Sequence, residues 1–401
     1  MAALNDTACY NCLLRHLTPS IKYQQYQAWR VLSRFNFSTS VQRLSPEKEL
    51  KSAQDYCIDL LRKYDRPSYT LSTFIPRHTQ NFYFALRALN VSLSMIPDIT
   101  SNPTIGLMRL QFWKDAVTRT LTGNPPKEPI ALLLAYALSD VDTRTKGKAR
   151  ISKGWLMRLI NSREQSLTNT SYPNIAALES YAENTYSTLL YLTLSAIPLT
   201  SLTVDHLASH IGKAAGISAV LRGLPLVAFP QPPTQHHSKN REALAGGVGA
   251  SRQGAITLPL DVMVQCGVRE EDVFRQGADA PGLRDAVFTV ATRASDHLIT
   301  ARQMLRNLRA GEDVGHDFEH QGEEGHQYGD YAGQNKGNEA DTSIQLQEVE
   351  RGFGVLMPAI STQMWLDRLQ SVDFDIFKPE LLSTDWKLPW NAYWAFRRRE
   401  F

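Results

Sequence analysis

The sequence predicts an all-α protein. Apolar residues recur at steps of three and four along nine segments, which is the period of one face of an α-helix. No run of alternating apolar and polar residues, the pattern of a half-buried strand, competes with these segments. The chain has 401 residues, of which 43% are hydrophobic and 21% charged, so it can bury the core of one large domain or two small ones.

The periodicity places each helix in turn. The predicted helices, in chain order, span residues 54–64, 80–96, 104–121, 129–138, 153–161, 175–195, 203–222, 283–306 and 345–370. The second helix shows the pattern clearly, because Phe82, Leu86 and Leu89 lie on one face. In the seventh helix, the many small residues between Ala208 and Ser218 allow close packing against neighbouring helices.

Another face of the second predicted helix carries an arginine followed by three positions at helical spacing. Arg87 is followed by Asn90, Val91 and Ser94, and the segment resembles the first active-site helix of the squalene and phytoene synthase family. That helix typically reads A-x-x-C-R-x-x-D-D-x-x-D. When the two are aligned through Arg87, the three aspartate positions hold an asparagine, a valine and a serine. None of these residues has a carboxylate.

The seventh predicted helix resembles the second metal-binding helix of the same family, which reads N-x-L-R-D-x-x-x-D. Leu221 and Arg222 match this pattern, whereas Gly223 and Val227 occupy the two aspartate positions. Residues 256–268 are similar to the segment Y-L-P-x-D that follows in the family. The resemblance implies a squalene/phytoene synthase-like isoprenoid synthase fold, a helical bundle around a central cavity, with both metal motifs degenerate.

The missing carboxylates predict a loss of catalysis. Ionisation of an allylic diphosphate needs bridging Mg²⁺, which is held by one or two carboxylates together with water and phosphate oxygens. Asn90 offers a neutral amide oxygen, Ser94 a hydroxyl, and Val91 no ligand atom. We predict that the chain is not an enzyme and holds neither a metal nor another cofactor. A prenyltransferase with displaced metal ligands is the alternative within the family.

Four segments resemble a narrower group of proteins within this family. Residues 102–117, 178–194, 205–217 and 372–379 are similar, in this order, to family members that act as assembly factors of mitochondrial respiratory complex I. That resemblance implies a non-catalytic role in early biogenesis of the membrane and quinone-side modules, peripheral at the matrix face of the inner membrane. The implied partners are complex I subunits or other assembly factors. A lipid or isoprenoid binding module that uses the emptied cavity is an alternative function.

The beginning of the chain differs in composition from the rest. Residues 1–44 contain five Lys and Arg residues and one acid, a composition typical of a mitochondrial targeting presequence, with an unaddressed basic tail as the alternative. Residues 45–401 then form the helical domain, with low-complexity insertions at 231–254 and 310–342. The second insertion contains nine acids and seven glycines, so it cannot form a packed core.

The charge is distributed unevenly along the chain. Segment 1–44 has a net charge of +4 and segment 310–342 of −8, which leaves +7 on the rest of a chain whose total is +3. A basic body favours an anionic partner, and we predict inner-membrane lipid, since no basic motif interleaved with aromatic residues indicates nucleic acid. No apolar run reaches the ~18 to 20 residues of a membrane-spanning helix.

The end of the chain is aromatic and basic. Several aromatic residues between Trp386 and Phe396 precede three consecutive arginines, and three of them lie on one helical face. This pattern fits an interfacial membrane anchor, and it fits equally well a stripe that packs onto the core. Between these two interpretations we favour packing onto the core.

Six side chains are candidates for contact with a ligand in the cavity of the resembled fold. They are Arg87, Arg109, Gln111, Glu183, Lys213 and Arg222. The cations on the cavity helices would hold a diphosphate, a lipid headgroup or a carboxylate of a partner. Each cation is as consistent with a buried ion pair, for instance with Glu183 or Asp205. For Arg109 and Gln111 the alternative is packing between helices.

Overall fold

Several helices begin at residue types that favour a helix start. The side chains of Asn102, Ser152 and Asn174 each accept a hydrogen bond from a backbone N–H in the first turn of the helix that follows. Pro103 and Pro129 occupy first-turn positions, where the missing N–H of proline costs no helical hydrogen bond. Local sequence therefore fixes these helix starts.

The computed structural model describes residues 46–100, 102–199, 201–230, 254–312 and 339–401. The α-helices within these residues are α1 Pro46–Tyr64, α2 Arg66–Leu71, α3 Gln80–Ser94, α4 Ile96–Ile99, α5 Pro103–Leu121, α6 Pro129–Thr145, α7 Lys153–Gln165, α8 Ile175–Ala182, α9 Thr188–Ala196, α10 Leu202–Ala228, α11 Leu260–Cys266, α12 Glu270–Gln276, α13 Leu283–Ala310, α14 Glu339–Leu356, α15 Pro358–Ser371 and α16 Leu388–Arg398. The predicted presequence and most of both insertions lie outside the described residues. The all-α prediction is confirmed, since the described residues contain no strand.

Two long predicted helices are interrupted, and the helix predicted over 80–96 ends at Ser94, after which α4 begins at Ile96. The helix predicted over 175–195 contains a π-helical turn, Glu183–Ser187, between α8 and α9. The helix predicted over 345–370 is two helices, α14 and α15. Pro358 begins the second of these, because a proline has no N–H with which to continue the preceding helix. The apolar period alone carries no signal for either interruption.

Helix α10 lies at the centre of the bundle. It packs against α8, α9, α13, α14 and α15 and against the π-helical turn. Two glycines permit the closest approaches, because a Cβ at Gly212 would collide with the backbone of Ser187, and one at Gly216 would collide with Ala182. The small residues of this helix therefore serve the close packing that the sequence predicts.

Helix α10 differs from our expectation that no apolar run reaches the length of a membrane-spanning helix. Among the described residues it is the one helix that is long and apolar enough to cross a membrane, with a mean hydropathy of 1.3 over its most apolar window. Inside the bundle 56% of that window is buried. Core helices have this composition as well, because neighbours cover them on several sides.

Helix α3 is buried on every side. All residues from Phe82 to Val91 are buried, including Arg87 and Asn90. Helices α6, α7 and α9 pack against it and enclose it. The polar face that the sequence indicates on this helix is therefore turned toward the interior of the bundle.

The C-terminal helix α16 packs against α15 and α2 with one face only. Leu388 and Ala392 are buried, and Phe396 contacts Phe74 with ring centroids 5.0 Å apart. The remaining large aromatic side chains of this region are exposed, and these are Trp386, Trp390, Tyr393 and Trp394. Our preferred interpretation, in which the aromatic stripe packs onto the core, is therefore wrong for these four residues. The buried face of the helix consists mainly of smaller or aliphatic residues instead.

Candidate functional site

The interior face of α3 meets a cation from another helix. The side-chain amide oxygen of Asn90 accepts a hydrogen bond of 2.9 Å from Nη2 of Arg163, which lies on α7. Nη1 of the same guanidinium donates to the hydroxyl of Tyr181 at 2.6 Å. The guanidinium carbon also lies 5.5 Å from the ring centroid of Tyr181 and 5.9 Å from that of Tyr186. A positive charge thus occupies the space beside the first predicted motif position.

The other two positions of this predicted motif offer little to a cation. Val91 has no side-chain oxygen, and the hydroxyl of Ser94 donates to the carbonyl oxygen of Val91 at 2.9 Å. Mg²⁺ requires several hard oxygen ligands, including at least one carboxylate in most protein sites. These residues do not fit a magnesium ion, because the one amide oxygen already binds a guanidinium.

The second predicted motif lies on α10. The guanidinium carbon of Arg222 is 5.1 Å from the ring centroid of Trp365, and its buried Nε has no hydrogen-bond partner among the described residues. Burial lowers the pKa of Arg222. A Cβ placed at Gly223 would meet open space, and Val227 is half-buried. This end of α10 therefore places a cation against the ring of Trp365 on α15, with no carboxylate at either predicted motif position.

Glu183 joins the π-helical turn to two helices. Its carboxylate accepts hydrogen bonds from the hydroxyl of Tyr191 at 2.5 Å and from that of Ser209 at 2.8 Å. Nζ of Lys213 lies 3.8 Å from the same carboxylate. Burial and the charge of Glu183 raise the pKa of Tyr191, which keeps this phenol neutral as a donor. Lys213 therefore forms an ion pair with Glu183, which is one of the two interpretations of this residue given above.

Arg87 has a different environment from Lys213. Only 4% of its surface is exposed, and its guanidinium carbon lies 5.4 Å from the ring centroid of Tyr83. Its Nε has no hydrogen-bond partner among the residues that the structure describes. The Nε atoms of Arg144, Arg163, Arg222 and Arg368 are in the same state, so five guanidinium groups share this feature.

Arg109 and Gln111 lie on the exposed face of α5 and do not face the interior. Gln111 donates to Asp115 on the same helix at 2.9 Å. The buried face of α5 includes Gly106, Leu110 and Trp113, and this register turns the two candidates outward. They are therefore surface residues, and not part of a cavity wall.

One polar network was missed by the sequence analysis. Nδ1 of His210 lies 3.0 Å from Nδ1 of His297, and Nε2 of His297 lies 3.0 Å from a carboxylate oxygen of Glu179. Arg293 also donates to this carboxylate. The network joins α8, α10 and α13, and no local spacing connects its members. In the described part of the chain, no group of three or more potential ligands is arranged to hold a metal ion.

The chain matches the family model of squalene/phytoene synthases over residues 61–228 and 247–314. Two solved structures share the fold. A dehydrosqualene synthase in complex with ligand has a TM-score of 0.58 and 11% identity, covering 88% of this chain and 99% of its own. The squalene synthase HpnC from Alicyclobacillus acidocaldarius has a TM-score of 0.53 and 14% identity, covering 81% and 96%. The predicted isoprenoid synthase fold is confirmed.

Curated relatives are more similar in sequence. The mouse protein named NADH dehydrogenase (ubiquinone) complex I, assembly factor 6, is 35% identical over 346 residues, or 86% of this chain and 82% of the relative. The human protein of the same name is 33% identical over 338 residues, or 84% and 80%. A Drosophila melanogaster homologue is 33% identical over 255 residues. The chain therefore belongs to the squalene/phytoene synthase family, within the group of the complex I assembly factor 6 proteins.

Proposed function

We propose that this protein is a non-catalytic assembly factor for mitochondrial respiratory complex I. The observation that carries the proposal is the similarity to proteins named as complex I assembly factor 6, which extends over most of the chain. Short motifs alone would not support the proposal, because proteins that share a fold can have many different functions.

The interior supports the non-catalytic part of the proposal. In the register through Arg87, the first motif offers one amide oxygen, and a guanidinium already binds that oxygen. The second motif offers Gly223 and Val227, which have no side-chain ligand atoms. Phosphoryl or diphosphate chemistry depends on metal ions that neutralise the departing charge. These contacts support a protein that keeps the fold of a synthase without the groups that would assemble its metal cluster.

The proposed location is the matrix face of the inner membrane, with peripheral attachment. The proposed partners are complex I subunits or other assembly factors, during early biogenesis of the membrane and quinone-side modules. The net charge of +7 outside segments 1–44 and 310–342 favours contact with anionic lipid, and we propose no nucleic-acid partner.

Deletion of the gene tests the proposal. We expect assembled complex I on a native gel to fall, while the other respiratory complexes keep their amounts, and re-expression of the full chain to restore it. Normal complex I in the deletion strain would contradict the proposal. For the alternative of a prenyltransferase, purified protein with Mg²⁺ and an allylic diphosphate should release no diphosphate at high protein concentration, and measurable release would reinstate catalysis.

A second candidate function is binding of a lipid or isoprenoid in the interior. Arg87 and Arg222 lie on the two helices that carry the predicted motifs, and an anionic headgroup would supply the acceptor that their buried Nε atoms lack among the described residues. Native mass spectrometry of the purified protein should then detect a co-purifying phosphate-bearing lipid. The Arg87→Met variant should lose this lipid, and protein that is free of lipid would contradict this candidate. This function is compatible with a role in assembly.

A further inference from the structure

The last helix has a face that the bundle does not cover. The exposed fractions of Trp386, Trp390 and Trp394 are 73%, 64% and 54%, and Tyr393 is also exposed. We name these four residues the C-terminal aromatic face. Trp390 is three residues from Tyr393 and four from Trp394, so these three rings lie on one side of α16, and Trp386 is exposed in the turn that precedes the helix. Apolar clusters of this size on a surface mark sites of interaction.

Cations flank this face at both ends. Nζ of Lys387 lies 5.7 Å from the ring centroid of Trp386, and the guanidinium carbon of Arg398 lies 5.9 Å from that of Trp394. Arg397 is exposed next to them. From Trp386 to Arg399 the sequence contains no acidic residue. Asp385 and Glu400 flank this stretch, and Glu400 pairs with Arg309. The surface therefore combines indole and phenol rings with an excess of positive charge.

The opposite face fastens the helix to the body. Leu388 and Ala392 are buried, and the ring of Phe396 lies 5.0 Å from that of Phe74. At the end of the chain, Arg309 on α13 pairs with Glu400 at 3.1 Å. Because the helix is held by these contacts, a surface that binds its outer face holds the whole bundle.

We infer that the C-terminal aromatic face docks on an anionic phospholipid bilayer, with α16 lying in the plane of the interface. Tryptophan and tyrosine prefer the headgroup region, where the ring is apolar and the N–H or O–H can meet water. Positively charged residues beside the rings are attracted by anionic headgroups. The charge complementarity favours lipid over an apolar protein groove, since the edges of such a groove would not require cations. The choice of the inner membrane rests on the proposed function, whereas the lipid chemistry does not.

Vesicle binding by the purified full chain tests the inference. The probes are vesicles of phosphatidylcholine alone and vesicles of phosphatidylcholine that contain cardiolipin. We expect cosedimentation with the cardiolipin vesicles and a blue shift of tryptophan fluorescence. The variant Trp390→Ser/Trp394→Ser should bind at least about tenfold more weakly, because it loses the apolar area that enters the interface. The variant Arg397→Gln/Arg398→Gln should lose roughly fivefold per cation.

A matched control removes exposed apolar side chains elsewhere. Met108 and Phe112 on α5 are exposed, so Met108→Ser/Phe112→Ser should leave vesicle binding unchanged. Far-UV circular dichroism checks that each variant keeps its helix content. Equal binding to both lipid compositions, or full binding by the Trp390→Ser/Trp394→Ser variant, would overturn the inference, as would binding to neither vesicle.

The two proposals fail in different experiments. Vesicle binding uses purified protein and requires no complex I, so its loss would overturn the lipid surface and leave the role in assembly standing. Normal complex I in a deletion strain would overturn the role in assembly, whatever the vesicles show. If the face instead binds a protein, a crosslinker placed at Trp390 would capture that protein while vesicle binding is absent, and this result also overturns the inference.

Discussion

Polar and apolar groups have opposite positions in two regions, the interior around Asn90 and the C-terminal aromatic face. In the interior, the buried amide oxygen of Asn90 accepts a hydrogen bond from the guanidinium of Arg163, and the nearby tyrosine rings pack against the charge. On the outer face of α16, large aromatic rings are left exposed beside cations. The interior contacts therefore stabilise the fold, whereas the exposed rings of the outer face remain available to bind another surface. The difference supports a protein that acts through its surface.

Substitutions in both regions test this difference. The largest effect on the free energy of unfolding is expected at the centre of the bundle. A methyl group at Gly212 would collide with the backbone of Ser187. Gly212→Ala should therefore lower the free energy of unfolding by about 2 to 3 kcal/mol, measured by urea denaturation. Gly223→Ala is the matched control, because its Cβ meets open space and alanine favours the helix by about 1 kcal/mol. A destabilised control would contradict the packing described for α10.

The next largest effect is expected at Arg163. Arg163→Met removes the hydrogen bonds to Asn90 and Tyr181 and leaves their buried oxygens without this donor. We expect a loss of about 2 kcal/mol in the free energy of unfolding, with helix content unchanged. Arg119→Met, on the exposed end of α5, should change it by less than about 0.5 kcal/mol. If the two variants were equally stable, the guanidinium would not be a structural part of the interior.

The pH dependence of the free energy of unfolding tests the network formed by His210, His297, Glu179 and Arg293. Burial disfavours the charged form of Glu179, but hydrogen bonds and charges from His297 and Arg293 more than offset this and hold its pKa at about 2. A depressed folded-state pKa contributes stability above the unfolded value near 4.5, and that stability is lost as the pH falls toward 2.

Glu179→Gln measures the size of that contribution. At neutral pH it should cost about 1 kcal/mol, after allowance for solvent screening of the half-exposed Arg293. Below pH 4.5 the difference from wild type should shrink steadily. Unfolding curves at a series of pH values supply the measurement, and a difference that is independent of pH would contradict the assigned ion pairs.

The smallest effect on stability is expected at the C-terminal aromatic face. Because both rings of Trp390 and Trp394 are more than half exposed, Trp390→Ser/Trp394→Ser should change the free energy of unfolding by less than about 1 kcal/mol. Thermal unfolding followed by circular dichroism measures this change. A loss of several kcal/mol would mean that the rings stabilise the fold, and the contrast with the interior would disappear.

Much of the fold could be predicted from the sequence, because helix period, proline position and capping residues are local. The π-helical turn at Glu183 and the break at Pro358 were not predicted, since the apolar period continues across both. For the candidate site, the residue types at the predicted motif positions were evident in the sequence. The partner of Asn90 was not, because Arg163 is 73 residues away and reaches it only when α3 and α7 pack together.

The sequence by itself determined the helical class, the family resemblance and the residue types at the positions that we align with the family motifs. These depend on residue identity and short spacing. Only the tertiary structure decided that Arg163 binds Asn90, that Arg109 and Gln111 face outward, and that four aromatic rings near α16 are exposed. The physical reason is that a helical period defines the faces of a helix, whereas packing between distant helices selects the face that is buried.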